Sequence, residues 1–146
     1  MESSTTDYIP TNVDSLRADA RAMISNALEG DRTTDLDDAI SAIKKILQLI
    51  ESSDPLRAVI QEDLTDAFAL RFKRTRSKDD LNAAIDAIKQ AVSLTPDDHP
   101  NRKHRMMILA RLMQHRFEVT RSPSDLQSAI TATYDILSLN SDDPLS

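Results

Sequence analysis

The feature that most constrains this chain is a short string repeated at one fixed spacing. Asp80-Leu81 with Ala84-Ile85 has a counterpart 45 positions earlier, Asp35-Leu36 with Ala39-Ile40, and another 45 positions later, Asp125-Leu126 with Ala129-Ile130. A period of this length implies similar units, each supplying part of a core that its neighbours complete. Setting 56–95 against 101–140 at the same offset extends the match. It pairs Arg57/Arg102, Leu64/Leu109, Arg71-Phe72/Arg116-Phe117, Thr75-Arg76-Ser77/Thr120-Arg121-Ser122 and Ser93-Leu94/Ser138-Leu139. The matches fall in two apolar-periodic segments and in their connectors, so the repeating unit is a helix–loop–helix pair.

Composition decides that these segments are helices. One Gly and six Pro among 146 residues leave little turn material for a β-rich fold. Five aromatic residues leave the core to Leu, Ile, Val, Met and Ala, which suit helix-on-helix packing. Apolar residues at three- and four-residue spacing predict helices over 14–29, 34–51, 55–74, 79–94, a segment from just after Pro100 to 119, and 124–139. Gly30 ends the first, Thr34 with Asp37 starts the second, and Asp54 or Ser53 caps the third ahead of Pro55. Residues 1–12, rich in Ser and Thr and without an apolar period, are expected to form a flexible leader. The fold class is all-α: a right-handed helical-repeat solenoid of three helix-turn-helix units, 13–51, 54–95 and 99–140, making six helices.

Charge and chemistry narrow the function. A formal net charge of −6 argues against a dedicated nucleic-acid binder, which needs clustered positive charge to neutralise phosphates. The amino terminus has no signal-peptide pattern, and no apolar run is long enough for a membrane span. With no Cys in addition, a cytoplasmic protein is expected, with the nucleus as the alternative. A single glycine excludes Gly-rich phosphate loops and dinucleotide fingerprints. His104 and His115 lie about 16 Å apart along one helix at 1.5 Å per residue, too far to share a metal. His99 reads as a residue that starts the fifth helix. The acidic pairs Asp37-Asp38, Asp79-Asp80 and Asp97-Asp98 sit at helix starts, where they favour the dipole. Arg71, Arg116, Arg76 and Arg121 fall where first helices close, with Asp80 and Asp125 as expected partners. No catalytic residue, cofactor or metal site is expected, and the chain is not expected to be an enzyme.

The spacing of Ala84, Ile88, Ala91 and Pro96 in one second helix, and of Leu109-Ala110 with Met113 in one first helix, resembles the tetratricopeptide repeat family. The usual period of that family is about 34, and the longer period here lengthens the first helix and the loop after it. The string Arg-Phe, Thr-Arg-Ser, Asp-Leu resembles long-period repeats of fungal multidomain proteins, some of which carry a caspase-like CHAT domain. The resemblance implies a scaffold that binds a protein or peptide in a groove lined by the first helix of each unit. Carried onto this sequence, it places Glu62, Asp63, Asp66, Met107, Arg111, Gln114 and His115 in that groove. Asp66 and Arg111 stand where carboxylate-clamp members of the family have Asn, so capture of a chaperone tail is not expected.

The sixth helix carries Leu126, Ile130, Ile136, Leu137 and Leu139, an expected self-association edge that would give a homodimer. Asp142-Asp143-Pro144-Leu145 resembles the start of a further unit, so a longer protein is the other explanation of that edge. The alternatives to a peptide-binding scaffold are therefore the regulatory or targeting part of a larger multidomain enzyme, for example a CHAT-type protease, or a homodimerisation module. Neither nucleic acid nor membrane is an expected partner.

Overall fold

The structure, a computed structural model, describes residues 12–30 and 33–141. These residues form six α-helices and no strand: α1 Val13–Gly30, α2 Thr33–Leu49, α3 Leu56–Thr75, α4 Lys78–Ser93, α5 Arg102–Thr120 and α6 Pro123–Ser141. All six begin and end within two residues of the sequence expectation, and the expected leader falls mostly outside the described residues. No helix among the described residues is long and apolar enough to cross a membrane.

Each helix packs against the next in chain order, and α1 also touches α3. The core is mainly aliphatic, joined by Phe68 and Phe72 of α3, and lies in the middle of the chain. Leu36, Ile43 and Ile46 of α2, Ile60 of α3, and Leu81, Ile85 and Ile88 of α4 are wholly buried. Each contributes about 1.5–3 kcal/mol relative to exposure. The outer helices contribute less: α1 buries only Ala20 and Ala27 completely, and Ala129 and Ala132 are the buried apolar residues of α6.

The 45-residue period recurs in hydrogen bonds. At the end of α3, Arg71 Nε donates to Asp80 Oδ1 (3.0 Å) and the Thr75 hydroxyl to Asp80 Oδ2 (2.9 Å). At the end of α5, Arg116 Nε donates to Asp125 Oδ1 (3.0 Å) and Thr120 to Asp125 Oδ2 (2.5 Å). One carboxylate at the start of a second helix thus clamps the end of the first. The same arginines reach the preceding pair, Arg71 Nη1 to Asp37 Oδ1 (2.8 Å) and Arg116 Nη1 to Asn82 Oδ1 (3.3 Å). At the other end of α3 and α5, Arg57 donates to the carbonyls of Leu47 and Ile50, and Arg102 to those of Val92 and Thr95. These carbonyls lie at or just beyond the end of the previous helix, where donors run short; that of Val92 also accepts the Thr95 N–H at 3.0 Å.

Gly30 is the last residue of α1, as expected, and does not have positive φ. The left-handed closures fall instead on Arg76 (φ 59) and Arg121 (φ 57), a conformation that costs a residue with a Cβ about 1–2 kcal/mol. The main-chain N–H of each reaches back to the carbonyl of Phe72 or Phe117 at 2.7 Å. Each guanidinium lies over the same phenylalanine's ring, at 5.1 and 5.6 Å, which offsets part of the cost. Ser77 precedes α4 without a side-chain cap. Asp54 does cap α3, accepting the Leu56 N–H at 2.9 Å, and His99 Nδ1 accepts the Asn101 N–H at 3.0 Å ahead of α5.

Candidate partner-binding groove

The first helix of each pair, α1, α3 and α5, lines an open groove of about 610 Å³ to which α2, α4 and α6 contribute nothing. Its apolar surface comes from Ile24 and Leu28 of α1, Ala69, Leu70 and Phe72 of α3, and Ile108 and Leu112 of α5. Around these stand Arg21, Glu62, Asp66, Lys73, Arg76, His104, Arg111 and His115. The residues on α5 recur at three- and four-residue intervals, as one face of a helix requires.

The acidic side is largely engaged within the protein. Glu62 Oε1 accepts from Arg105 Nε at 2.8 Å, and Glu62 Oε2 lies 3.7 Å from His104 Nε2. Arg105 is itself buried and donates through Nη1 to the Thr95 hydroxyl (2.8 Å), which in turn bonds the Ala91 carbonyl (2.5 Å). Asp66 reaches solvent, yet its carboxyl is pushed up to about 6. The groove walls withdraw water from it, and the charges of Glu62 and Asp63 add to the shift against the opposing effect of Arg21 and His104. Lys73, Arg76 and Arg111 stand exposed on the walls, and His115 bonds Glu118 at 3.1 Å.

Of the seven residues expected in the groove, Glu62, Asp66, Arg111 and His115 line it, whereas Asp63, Met107 and Gln114 do not. Asp63 is only 2% exposed. It accepts from Arg17 Nε at 2.6 Å and Arg21 Nη1 at 2.8 Å, tying α1 to α3. Met107 and Gln114, seven positions apart, occupy the stripe of α5 beside the groove face, and Gln114 borders a second depression shared with α6. The contribution of α1 was missed although the period marks it: Arg21, Asp66 and Arg111 fall at intervals of 45 and set a positive, a negative and a positive charge along the groove.

At the carboxy-terminal edge, Leu126, Ile130 and Leu137 are exposed at 41%, 50% and 58%. Ile136 packs against the core and Leu139 is half-buried, so neither belongs to the open face, which Tyr134 joins instead. Among the described residues no cluster of three or more His, Cys, Asp or Glu could hold a metal ion. No family model, curated protein or solved structure matches the chain.

Proposed function

We propose that this protein is a non-catalytic interaction scaffold, a solenoid of three tetratricopeptide-like units, that binds an extended segment of a partner protein in the groove between α1, α3 and α5. The observation that carries the reading is the composition of that groove. Every helix lining it is the first of its pair, its base is apolar, and its walls bear Arg21, Asp66 and Arg111 at one repeat position. An apolar base with a few convergent polar groups is the usual make-up of a binding cleft. Charge pattern gives such a cleft its specificity and capture rate.

The partner is a protein or peptide rather than nucleic acid, since Glu62 and Asp66 interrupt the cationic wall. The working location of such a scaffold is the cytoplasm or the nucleus. Pull-down with the wild-type chain and with Asp66→Arg and Arg111→Glu tests the reading. At least one variant loses a partner that the wild type retains, and retention of every partner by both variants refutes binding in the groove.

A further inference from the structure

The groove has two ends of different charge. Both carboxylates that line it, Glu62 and Asp66, precede Ala69 on α3, whereas Lys73 and Arg76 follow it. Bonds between first helices carry this division across the groove: Asp63 accepts from Arg17 and Arg21 of α1, and Glu62 from Arg105 of α5. They join residues 46, 42 and 43 positions apart, so the first helices lie close to repeat register. In that register Leu28 of α1 shares the position of Lys73, and the cationic end has an apolar neighbour.

The two signs also differ in how far the protein satisfies them. Glu62 is bonded to Arg105, and the charges of Arg21 and His104 act on Asp66. Lys73 and Arg111 are exposed and have no ion-pair partner among the described residues. Arg76 rests on the ring of Phe72 and likewise has no carboxylate partner there. In a chain of net charge −6, the groove charge that lacks a bonded partner is therefore mainly positive, three cations against Asp66.

We propose, on the basis that the groove is the binding site, that the partner segment is an acidic peptide that lays aliphatic side chains on the groove base and directs Asp or Glu toward Lys73, Arg76 and Arg111. A cationic segment would meet like charge at those residues. Nucleic acid, the other anionic class, would find little to stack on. Among the described residues the one Phe, Tyr or Trp lining the groove is Phe72, which is 4% exposed and covered by Arg76, and the rest of the apolar base is aliphatic.

The probes are synthetic peptides that share a Leu- and Ile-rich half and end in a run of Glu, Gln or Lys, titrated into the intact chain and followed by fluorescence anisotropy. The Glu peptide is expected to bind about tenfold tighter than the Lys peptide, the combined effect of several individually weak exposed pairs. In a Lys73→Glu, Arg111→Glu double variant the order reverses, a gain that misfolding cannot produce. Equal binding of the peptides, an unchanged order in the double variant, or displacement of the Glu peptide by oligothymidylate of equal charge overturns the proposal. Benzoylphenylalanine at Ile108 separates that failure from failure of groove binding itself. A Gln or Lys peptide that binds as tightly and crosslinks there occupies the groove without selection for acidic residues, whereas a bound peptide that never crosslinks there lies elsewhere. Absence of binding by every peptide overturns the proposal, and the pull-down then decides groove binding alone.

Discussion

Replacing Asp63 with alanine is expected to loosen α1 from the rest of the protein. The helix buries only Ala20 and Ala27 completely, so its apolar anchorage is slight and the two arginines on Asp63 hold a large share of it. Arg21 is 56% exposed, and such a screened contact is worth about 0.2–1 kcal/mol. Arg17 is 28% exposed and donates at 2.6 Å, and a hydrogen bond to a charged group contributes about 1.5–3 kcal/mol. The same bond, together with the negative charge of Asp63, raises the Arg17 pKa above its ordinary value against the opposing effect of burial. Removing a carboxylate that is itself buried recovers part of its desolvation cost, which brings the net loss to about 2 kcal/mol. For a chain of this size that lowers the unfolding midpoint by about 6–10 °C. Urea unfolding reads the total, and hydrogen exchange reads its location: amides of Val13–Gly30 lose protection while those of α4 change little. A loss below about 0.5 kcal/mol with α1 protection unchanged would refute the reasoning.

The remaining predictions concern the repeat and the groove. Leu81→Ala is expected to cost about 2–5 kcal/mol because the side chain is wholly buried, whereas Leu126→Ala at the matching exposed position costs less than about 1 kcal/mol. Equal costs in urea unfolding would contradict the difference in cover between α4 and α6. Asp80→Ala removes the acceptor shared by Arg71 and Thr75 and is expected to destabilise by about 1.5–3 kcal/mol. The same change at Asp125 costs less, because the second helix it anchors is covered on fewer sides; calorimetry on both variants checks the order.

Because the folded-state pKa of Asp66 is raised to about 6, the folded protein binds this proton more tightly than the unfolded chain does. The contribution of Asp66 to stability therefore falls as pH rises from about 4 through 6. Asp66→Asn should accordingly gain stability relative to wild type above pH 6 and lose that advantage near pH 4. Carbon-detected NMR titration of the carboxyl reads the midpoint directly, and a midpoint near 4 would contradict the desolvated environment.

Much of the helix pattern was legible because the signals were local. Pro55, Pro100 and the apolar spacing place the ends of α3, α4 and α5, and the paired matches Arg71/Arg116 and Asp80/Asp125 anticipated the clamp between helices. What sequence spacing left undetermined was the rotation of the first helices. Around α3, Ala58, Ile60, Leu64, Thr65, Ala67, Phe68 and Phe72 are all buried, so apolar and small residues occupy most of its circumference and no single polar stripe marks the groove. Asp63 and Asp66, three positions apart, read alike until Arg17 and Arg21 are brought across from 46 and 42 residues away. The left-handed closures were hidden for a related reason: Arg at Arg76 and Arg121 gives no glycine-like signal, and only the phenylalanine ring four residues earlier explains how the residue is held there.

Site-specific photo-crosslinking tests groove binding most directly. A benzoylphenylalanine placed at Ile108, inside the groove, is predicted to capture the bound partner segment, while the same residue at Lys89, exposed on α4 away from the groove, captures none. Crosslinks to that partner from position 89 and none from position 108 would contradict binding between the first helices.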